Sequence, residues 1–382
     1  MIIMYKRLIS AQIKEKFFKG KVIIIVGARQ TGKTTLALEL FNEPGLKGKP
    51  RIFNCDNPTD RDLLANRDLE FLIQLVGDAE TVFIDEGQKV ETIGQTLKLL
   101  VDHYKDTKQI LVTGSSSFNL LDKTEEALTG RKFVFNLFPL SVEEMFPERD
   151  LLAMEKQWNS LLIFGQYPEI AASPSFEEKK ELLAGLASGY LYKDIFEFQK
   201  IKNPEILNKL LKALALQIGN EVSFNELSGL VGIDRRTVEN YVDILEKSFV
   251  IFRLPPFSGN KRKEISKLRK IYFYDLGIRN AVINNYNFLE DRSDVGALWE
   301  NFVISERIKF QNYHKIYVKN YFWRTYDGAE VDLVEERDGK LYGYEVKWGE
   351  NKKNTPAPES WTEYTNFYKV ITPLSVLDIL EK

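Results

Sequence analysis

Eight residues near the start of the chain have the types and spacing of a phosphate-binding loop. Two glycines flank four variable residues, and lysine and threonine follow: Gly27-Ala28-Arg29-Gln30-Thr31-Gly32-Lys33-Thr34, with Thr35 next. Such glycines let the chain turn tightly, so that backbone N–H groups converge on a β-phosphate. The lysine then reaches the β- and γ-phosphates, and the threonine hydroxyl binds Mg²⁺. The pattern predicts a nucleotide site at Gly27 to Thr35, against the alternative of a purely structural turn.

Acidic and hydroxyl side chains further along match the other parts of such a site. Asp85 and Glu86 end an apolar run, where an aspartate holds the Mg²⁺ shell and a glutamate polarises the attacking water. Ser115 follows another apolar run and is the predicted sensor of the γ-phosphate, with Thr113 as a close alternative. Arg131 is either an arginine finger or an ordinary surface arginine.

A second acidic constellation lies near the end of the chain. The Asp338-Gly339 dipeptide predicts a tight hairpin that puts Asp332 opposite Glu345 and Glu330 opposite Lys347. Facing carboxylates are close enough to share a divalent ion. The alternative is a salt-bridged hairpin on a solvated face. However, the like-charged pair destabilises the hairpin unless a cation or a neighbouring lysine neutralises it.

Basic residues between these two regions suggest contact with DNA. Residues 224–246 read as a helix, a tight turn and a second helix, and strands at 249–254 and 271–274 complete a winged-helix candidate. DNA contacts are predicted for six residues of the second helix and the following loop: Arg235, Arg236, Asn240, Lys261, Arg262 and Lys263. The alternative is a solvated loop on a structural winged helix, since three acids also lie on that helix.

Alternating strands and helices must position the residues of the predicted nucleotide site. Apolar runs at 21–26, 51–54, 81–85, 109–113 and 132–137 predict a parallel α/β sheet. The interval between Gly27 and Asp85 leaves room for an extra strand, which favours an additional-strand ATPase. The strand that ends near Ser115 is expected to lie between the strands that end at Gly27 and Asp85.

The rest of the chain divides into three predicted segments. The expected boundaries are 1–140 for the P-loop domain, 141–218 for a helical lid-like region, 219–290 for a winged helix and 291–382 for a mixed α/β domain. The last is expected to run helix, strand at 315–323, hairpin, helix at 359–367 and strand at 369–373.

Composition excludes several classes of protein. The 382 residues carry a net charge of -2, so any nucleic-acid contact must come from a local patch. One cysteine and two distant histidines exclude a disulfide framework and a typical Cys/His zinc site. The absence of a signal-peptide pattern and of a long apolar stretch leads us to expect a cytoplasmic protein with no membrane partner.

Five motifs together resemble a prokaryotic family of AAA-like ATPases. They are Gly27–Thr35, Ile84–Gln88, Val112–Ser116, Gly130-Arg131 and Pro139–Glu143. Members of this family carry a C-terminal domain of unknown function related to restriction endonucleases, and the resemblance covers nearly the whole chain. It implies that the nucleotide is ATP.

The C-terminal spacing resembles the PD-(D/E)xK nuclease core. There, carboxylates bind Mg²⁺ or Mn²⁺ and a lysine helps to activate water. The resemblance implies that the nuclease residues are Glu330, Asp332, Glu345 and Lys347. It also implies that Glu300, on the preceding helix, contributes a further acidic side chain. One departure is that Glu330-Val331-Asp332 stands where many nucleases have Pro-Asp.

The expected function is therefore ATP binding and hydrolysis that control a winged-helix and nuclease-like half acting on DNA. The alternative is an ATP-driven switch or protein-remodelling ATPase whose C-terminal domain binds without catalysis. A homo-oligomer remains open, and it decides whether Arg131 acts within its own chain, on a neighbouring copy or not at all.

Overall fold

The computed structural model describes residues 5–42, 45–46, 48–115, 117–199, 204–258, 269–349 and 355–381. They form two compact units. One comprises Met4–Phe138 and Lys247–Phe249, and the other comprises Pro139–Glu246 and Val250–Lys382. The division at Phe138 lies next to the predicted boundary at 140, whereas the three later segments share one unit. The predicted boundaries at 140, 218 and 290 remain predictions.

The N-terminal unit is built on a five-stranded parallel sheet in the order β2-β3-β4-β1-β5. The strands are β1 Val22–Val26, β2 Arg51–Asn54, β3 Thr81–Asp85, β4 Gln109–Gly114 and β5 Lys132–Asn136. Its helices are α1 Ile9–Lys14, α2 Lys33–Phe41, α3 Pro58–Leu64, α4 Leu69–Val76, α5 Ile93–Tyr104 and α6 Ser117–Glu125, with a 3₁₀ turn at Gly87–Lys89.

The central strand shows why this sheet forms. All five residues of β1 are valine or isoleucine and all are buried, as expected for a parallel strand covered on both faces. The order places β4 between β1 and β3, as the sequence predicts for an additional strand. The carboxyl ends of these three neighbouring strands therefore meet at one edge, where ligands bind in open parallel sheets.

The described residues of the C-terminal unit form two further sheets. Its strands are β6 Glu221–Val222, β7 Ile251–Leu254, β8 Arg269–Phe273, β9 Lys319–Arg324, β10 Glu330–Arg337, β11 Lys340–Val346 and β12 Tyr368–Ile371. Strands β6, β8 and β7 form a three-stranded sheet in that order, and β12, β11, β10 and β9 form a four-stranded sheet. In the second sheet only the β11–β12 pair is parallel.

The C-terminal unit also contains helices among its described residues. They are α7 Val142–Met145, α8 Leu151–Glu155, α9 Pro168–Ala172, α10 Phe176–Gln199, α11 Pro204–Leu216, α12 Phe224–Val231, α13 Arg235–Lys247, α14 Leu276–Ile283, α15 Val295–Tyr313 and α16 Glu359–Thr362. A π-helical segment spans Ser160–Phe164, and 3₁₀ segments span Leu289–Asp291 and Pro373–Leu380. Among the described residues, no helix is both long and apolar enough to cross a bilayer.

Helix α15 is the central helix of this unit. It buries 14 of its 19 residues, including Glu306, Arg307 and Lys309, so it has no polar face turned to solvent. Arg307 forms an ion pair with Glu335 of β10, and Lys309 pairs with Glu306. Because buried charges must be paired, these contacts are what allow a charged helix to lie inside the unit.

The predicted hairpin forms with the expected register. Leu333 pairs with Tyr344 and Arg337 with Lys340, so Asp338 and Gly339 are the two turn residues, both with positive φ. The order of elements from α15 to β12 is also the predicted one. The helix predicted at 359–367 is shorter, however, because only Glu359–Thr362 is helical.

Candidate nucleotide site and acidic cluster

The predicted phosphate-binding loop joins β1 to α2. Gly32 has φ +92° and Gln30 has φ +57°, which gives the loop a tight turn before the helix begins at Lys33. Gly27 has no room for a side chain, because a Cβ there would lie 2.0 Å from the carbonyl oxygen of Leu137. The two glycines of the motif therefore have separate tasks, close packing and a left-handed turn.

The lysine of the loop is turned onto the loop's own backbone. Lys33 Nζ donates to the carbonyl oxygens of Gly27 at 2.9 Å and Ala28 at 2.7 Å. Thr31 also bonds Ala28 O, at 2.8 Å, and is fully buried. The lysine ammonium group therefore lies against the start of the loop, close to where the loop would bind phosphate oxygens.

Asp85 connects the loop to the neighbouring strands. Its carboxylate accepts a hydrogen bond from the Thr34 hydroxyl at 2.9 Å, and the Thr113 hydroxyl donates to its other oxygen. Burial raises the pKa of Asp85, while these two hydrogen bonds oppose the rise. Thr113, the alternative sensor, is thus engaged with Asp85.

Glu86 is held by a side chain that the sequence reasoning missed. Gln88 Nε2 donates to Glu86 Oε2 at 2.5 Å and to Ser115 Oγ at 3.0 Å. Gln88 is completely buried, and its Oε1 has no hydrogen-bond partner among the described atoms. It therefore bridges the predicted water-polarising residue and the predicted sensor. The signals in the sequence were its place two residues after Glu86 and its membership of the Ile84–Gln88 motif.

Arg7 is a second residue that the sequence reasoning missed. Its guanidinium donates to the carbonyl oxygens of Thr31 at 2.6 Å and Phe138 at 2.7 Å, and the residue is only 6% exposed. These are charge-assisted bonds, which are stronger than neutral ones. Arg7 thus fixes the outer side of the phosphate-binding loop. No motif marks it, because the contact spans distant parts of the chain.

The donor groups fit a nucleotide with Mg²⁺. A threonine hydroxyl and an aspartate carboxylate, oxygen ligands that Mg²⁺ prefers, already lie 2.9 Å apart at Thr34 and Asp85. The turn before α2 offers backbone N–H groups to phosphate, and Lys33 supplies the positive charge. Thr34 and Asp85 would hold the ion, which when bound neutralises charge on the phosphates.

Arg131 lies away from this constellation. It precedes β5, and its carbonyl oxygen accepts the N–H of Val22 at the start of β1. Arg131 therefore lies at the amino-terminal ends of the strands, whereas Gly27 lies at their carboxyl ends. The Arg131 guanidinium pairs with Asp102 at 2.6 Å. The structure therefore corrects one version of the prediction, in which Arg131 reaches the nucleotide of its own chain. Action on a neighbouring copy stays a prediction.

Three of the predicted C-terminal acids surround a lysine of another sheet. Lys270 Nζ of β8 lies 3.1 Å from Glu300 Oε1 and 3.5 Å from Asp332 Oδ1, and it directly contacts Glu330. Tyr272 donates to Glu300 at 2.6 Å, and the N–H of Val346 donates to Asp332 at 2.8 Å. We call the set Glu300, Glu330, Asp332 and Glu345 the acidic cluster.

The electrostatics of the acidic cluster reflect burial. Desolvation, followed by the charge of Asp332, raises the pKa of both Glu300 and Glu345 to about 7. Desolvation also raises the pKa of Asp332. Burial by itself lowers the pKa of Lys270, but the surrounding carboxylates outweigh it and raise that pKa above its ordinary value.

The predicted nuclease lysine pairs with its neighbour. Lys347 Nζ lies 2.5 Å from Glu345 Oε1, while Glu345 Oε2 is buried without a hydrogen-bond partner among the described atoms. Among the described residues, no group of three or more His, Cys, Asp or Glu side chains is arranged to hold a metal ion. The prediction of a divalent ion at Glu300, Asp332 and Glu345 is thus not supported, because an ammonium group lies among these carboxylates.

The predicted DNA-contact residues of α13 lie on its surface. Arg235, Arg236 and Asn240 are all exposed, and Arg235 pairs with Glu239 at 2.8 Å. Asp234 accepts the N–H of Thr237 at 3.0 Å and so caps the start of the helix. The other three predicted contacts, Lys261, Arg262 and Lys263, lie outside the described residues.

Comparison with protein families divides the chain into three matched regions. Residues 19–146 match the model of an AAA domain. Residues 155–288 match a domain of unknown function, DUF8612, and residues 295–374 match another, DUF4143. The N-terminal unit thus carries an AAA-type, P-loop ATPase-like domain, and the chain carries a DUF4143 domain near its C-terminal end.

The relatives found among curated proteins have names that state no activity. An uncharacterized protein of Mycobacterium tuberculosis is 27% identical over 340 residues, covering 88% of this chain and 73% of the relative. An uncharacterized protein of Methanocaldococcus jannaschii is 27% identical over 338 residues, covering 82% and 73%. One of Haemophilus influenzae is 21% identical over 365 residues, covering 91% and 87%.

Among solved structures, one match is the crystal structure of a signal transduction ATPase with numerous domains from Pyrococcus horikoshii, which has a tetratricopeptide repeat sensor. The identity is 13% and the TM-score is 0.31. The match covers 83% of this chain but only 48% of the other, so the chain spans about half the length of that protein.

Proposed function

We propose that the N-terminal unit binds ATP with Mg²⁺ and hydrolyses it. The observation that carries this proposal is the contact between Thr34 and Asp85, which joins the phosphate-binding loop to the end of β3. The AAA domain match over residues 19–146 supports ATP as the nucleotide. Glu86 and Ser115 lie at the ends of the adjoining strands, next to where a γ-phosphate would be held.

Each side chain of this site has a distinct task in the proposal. Lys33 leaves the loop carbonyls to contact the β- and γ-phosphates, and the N–H groups at the start of α2 hold the β-phosphate. Glu86 orients the attacking water and accepts its proton, while Ser115 donates a hydrogen bond toward the γ-phosphate.

Turnover of ATP by purified protein tests the proposal. Lys33→Ala is expected to lower ATP turnover by about 100-fold or more, since it removes the cation nearest the phosphates. Lys98→Ala, a change at an exposed lysine on α5, is the matched control and is expected to keep wild-type turnover. Equal turnover in Lys33→Ala and wild type would remove the ATPase assignment.

A finer proposal is that the ATPase cycle controls a C-terminal unit that acts on DNA. It is supported by the exposed Arg235, Arg236 and Asn240 on the second helix of a helix–turn–helix. Electrophoretic shift of duplex DNA at low and moderate salt tests it. Weaker binding by Arg235→Ala/Arg236→Ala is expected, with a shallower salt dependence.

Cleavage of DNA is a separate question from binding. The ammonium group of Lys270 within the acidic cluster favours the alternative in which the C-terminal unit binds without cutting. Plasmid incubated with Mg²⁺ or Mn²⁺ is expected to stay intact with wild type and with Glu345→Ala. Cutting by wild type that is lost in Glu345→Ala would instead establish a nuclease.

A further inference from the structure

Lys270 is the centre of the acidic cluster. Its ammonium group has three donor hydrogens, and carboxylates of Glu300, Glu330 and Asp332 lie around it. These acids come from α15 and β10, whereas Lys270 belongs to β8 of the three-stranded sheet. One side chain thus joins three elements that are separate in the sequence.

Burial makes this arrangement a permanent feature of the fold. Lys270 is 2% exposed and Asp332 is 6% exposed, and the Phe322 ring lies 5.6 Å from Lys270 Nζ. An unpaired charge in such a place is strongly destabilising, so loss of the cation would leave buried carboxylates that need another positive charge. The carboxylates therefore require a cation, and the chain itself supplies one.

A divalent ion would compete with this ammonium group for the same oxygens. Carboxylate oxygens bind Mg²⁺ or Ca²⁺ at about 2.0 to 2.6 Å. Oxygens of Glu300 and Asp332 already lie within 3.5 Å of Lys270 Nζ. Two cations sharing these oxygens would repel each other strongly at such short separation. The remaining carboxylate, Glu345, has its own cation in Lys347.

We propose that Lys270 is a built-in replacement for a divalent cation, so that the acidic cluster is a metal-independent junction between β8, α15 and β10. The resemblance to metal-dependent nucleases then extends to the arrangement of the acids and not to their chemistry. The cluster keeps the carboxylates together because a fixed ammonium group neutralises them. Its task is to hold the two sheets of the C-terminal unit in one arrangement.

Metal titration of nucleotide-free protein tests this proposal. Mn²⁺ binding is followed by calorimetry in wild type, in Lys270→Met and in Lys270→Met/Asp332→Asn. Lys270→Met is expected to bind Mn²⁺ at least about tenfold more tightly than wild type, because the ion replaces the lost ammonium charge. The double variant is expected to lose this gain. Lys179→Met, at another buried lysine, is the matched control and is expected to gain nothing.

A second pair of variants keeps the test decisive if Lys270→Met does not fold. Lys270→Met/Glu330→Gln removes one negative charge together with the cation, and it is expected to fold and to gain Mn²⁺ binding. Two results would overturn the proposal. One is Mn²⁺ binding by wild type that Asp332→Asn abolishes, and the other is a folded Lys270 variant with wild-type Mn²⁺ affinity. Neither measurement depends on ATP turnover.

Discussion

At the scale of single residues, the nucleotide site depends on how Glu86 and Gln88 are held. Glu86 has φ +52°, an uncommon conformation for a residue other than glycine, and its carboxylate is bonded to Gln88. Gln88 in turn contacts Ser115 on the neighbouring strand. A change at the γ-phosphate position that moves Ser115 would therefore also move Glu86, because Gln88 is bonded to both side chains.

Glu86→Gln is expected to separate nucleotide binding from hydrolysis. The amide keeps the shape of the side chain but cannot accept a proton from water, so turnover should fall by about 10² to 10⁴-fold. ATP affinity, measured by fluorescence titration with a labelled analogue, should stay near the wild-type value. Glu91→Gln, at a nearby exposed glutamate, is the control. Equal losses of affinity and turnover would contradict this role.

Gln88→Ala is expected to lower kcat with little change in KM. The substitution removes the hydrogen bonds to Glu86 and Ser115 and leaves the phosphate-binding loop intact. A loss of about tenfold in kcat would identify Gln88 as a positioning residue. Gln74→Ala, on the exposed side of α4, serves as the comparison. An increase in KM alone would mean that Gln88 acts through substrate binding.

The acidic cluster predicts a fall in stability as pH rises. Its raised pKa values of about 7 at Glu300 and Glu345 mean that the folded protein holds these protons more tightly than the unfolded chain. The resulting stabilisation is complete below the ordinary glutamate pKa of about 4.3, and it is lost as pH rises toward the folded value. Urea unfolding between about pH 5 and about pH 8 should show this decline.

Glu345→Gln should reduce that pH dependence, because it removes one of the two titrating groups. Glu290→Gln, at an exposed glutamate of the same unit, should retain the wild-type slope. A wild-type protein whose stability rises over this pH range would contradict the raised pKa values.

At the scale of elements, the strand–loop–helix of β1 and α2 is determined by local sequence. The apolar run, the two glycines and the helix-forming residues occupy consecutive positions, so their chemistry and their conformation are specified together. The place of β4 between β1 and β3 was predicted from the apolar runs and from the room for an extra strand between Gly27 and Asp85. The shortened helix at α16 was not foreseen, since four residues carry too little periodicity to set a boundary.

Gly27→Ala is expected to disrupt this element. The new methyl group would lie 2.0 Å from the Leu137 carbonyl oxygen. Either the phosphate-binding loop or the backbone at Leu137, just after β5, must therefore move. Loss of ATP binding together with a lower unfolding temperature is the expected result. Gly229→Ala is the matched control, because a Cβ there meets no atom within 4 Å in helix α12. Unchanged ATP affinity in Gly27→Ala would contradict the observed packing.

At the scale of the whole molecule, the two compact units carry different candidate sites. The N-terminal unit holds the proposed nucleotide site, and the C-terminal unit holds the exposed basic residues of α13 and the acidic cluster. If nucleotide and DNA bind to different units, thermodynamic linkage requires that any coupling between them be reciprocal. Such coupling can be measured without knowledge of the natural DNA sequence.

The proposed control of the C-terminal unit by the ATPase cycle predicts that bound DNA changes ATP turnover. Addition of duplex DNA should stimulate hydrolysis by several-fold, and Arg235→Glu/Arg236→Glu should abolish the stimulation while turnover without DNA stays the same. Raising the salt concentration should weaken the effect, because phosphate contacts release counterions. Turnover that is identical with and without DNA, under conditions where DNA is bound, would contradict the proposed coupling between the ATPase cycle and the C-terminal unit.

The sequence by itself determined the phosphate-binding loop, the acids at the end of β3 and the register of the β10–β11 hairpin. Each depends on residues that are close together in the chain, or on the apolar runs and alternating side chains that mark strands. Only the tertiary structure decided that Arg7 holds the loop, that Gln88 joins Glu86 to Ser115 and that Lys270 enters the acidic cluster. These contacts join distant segments, and which charge meets which is settled only when the sheets pack and buried groups must find partners.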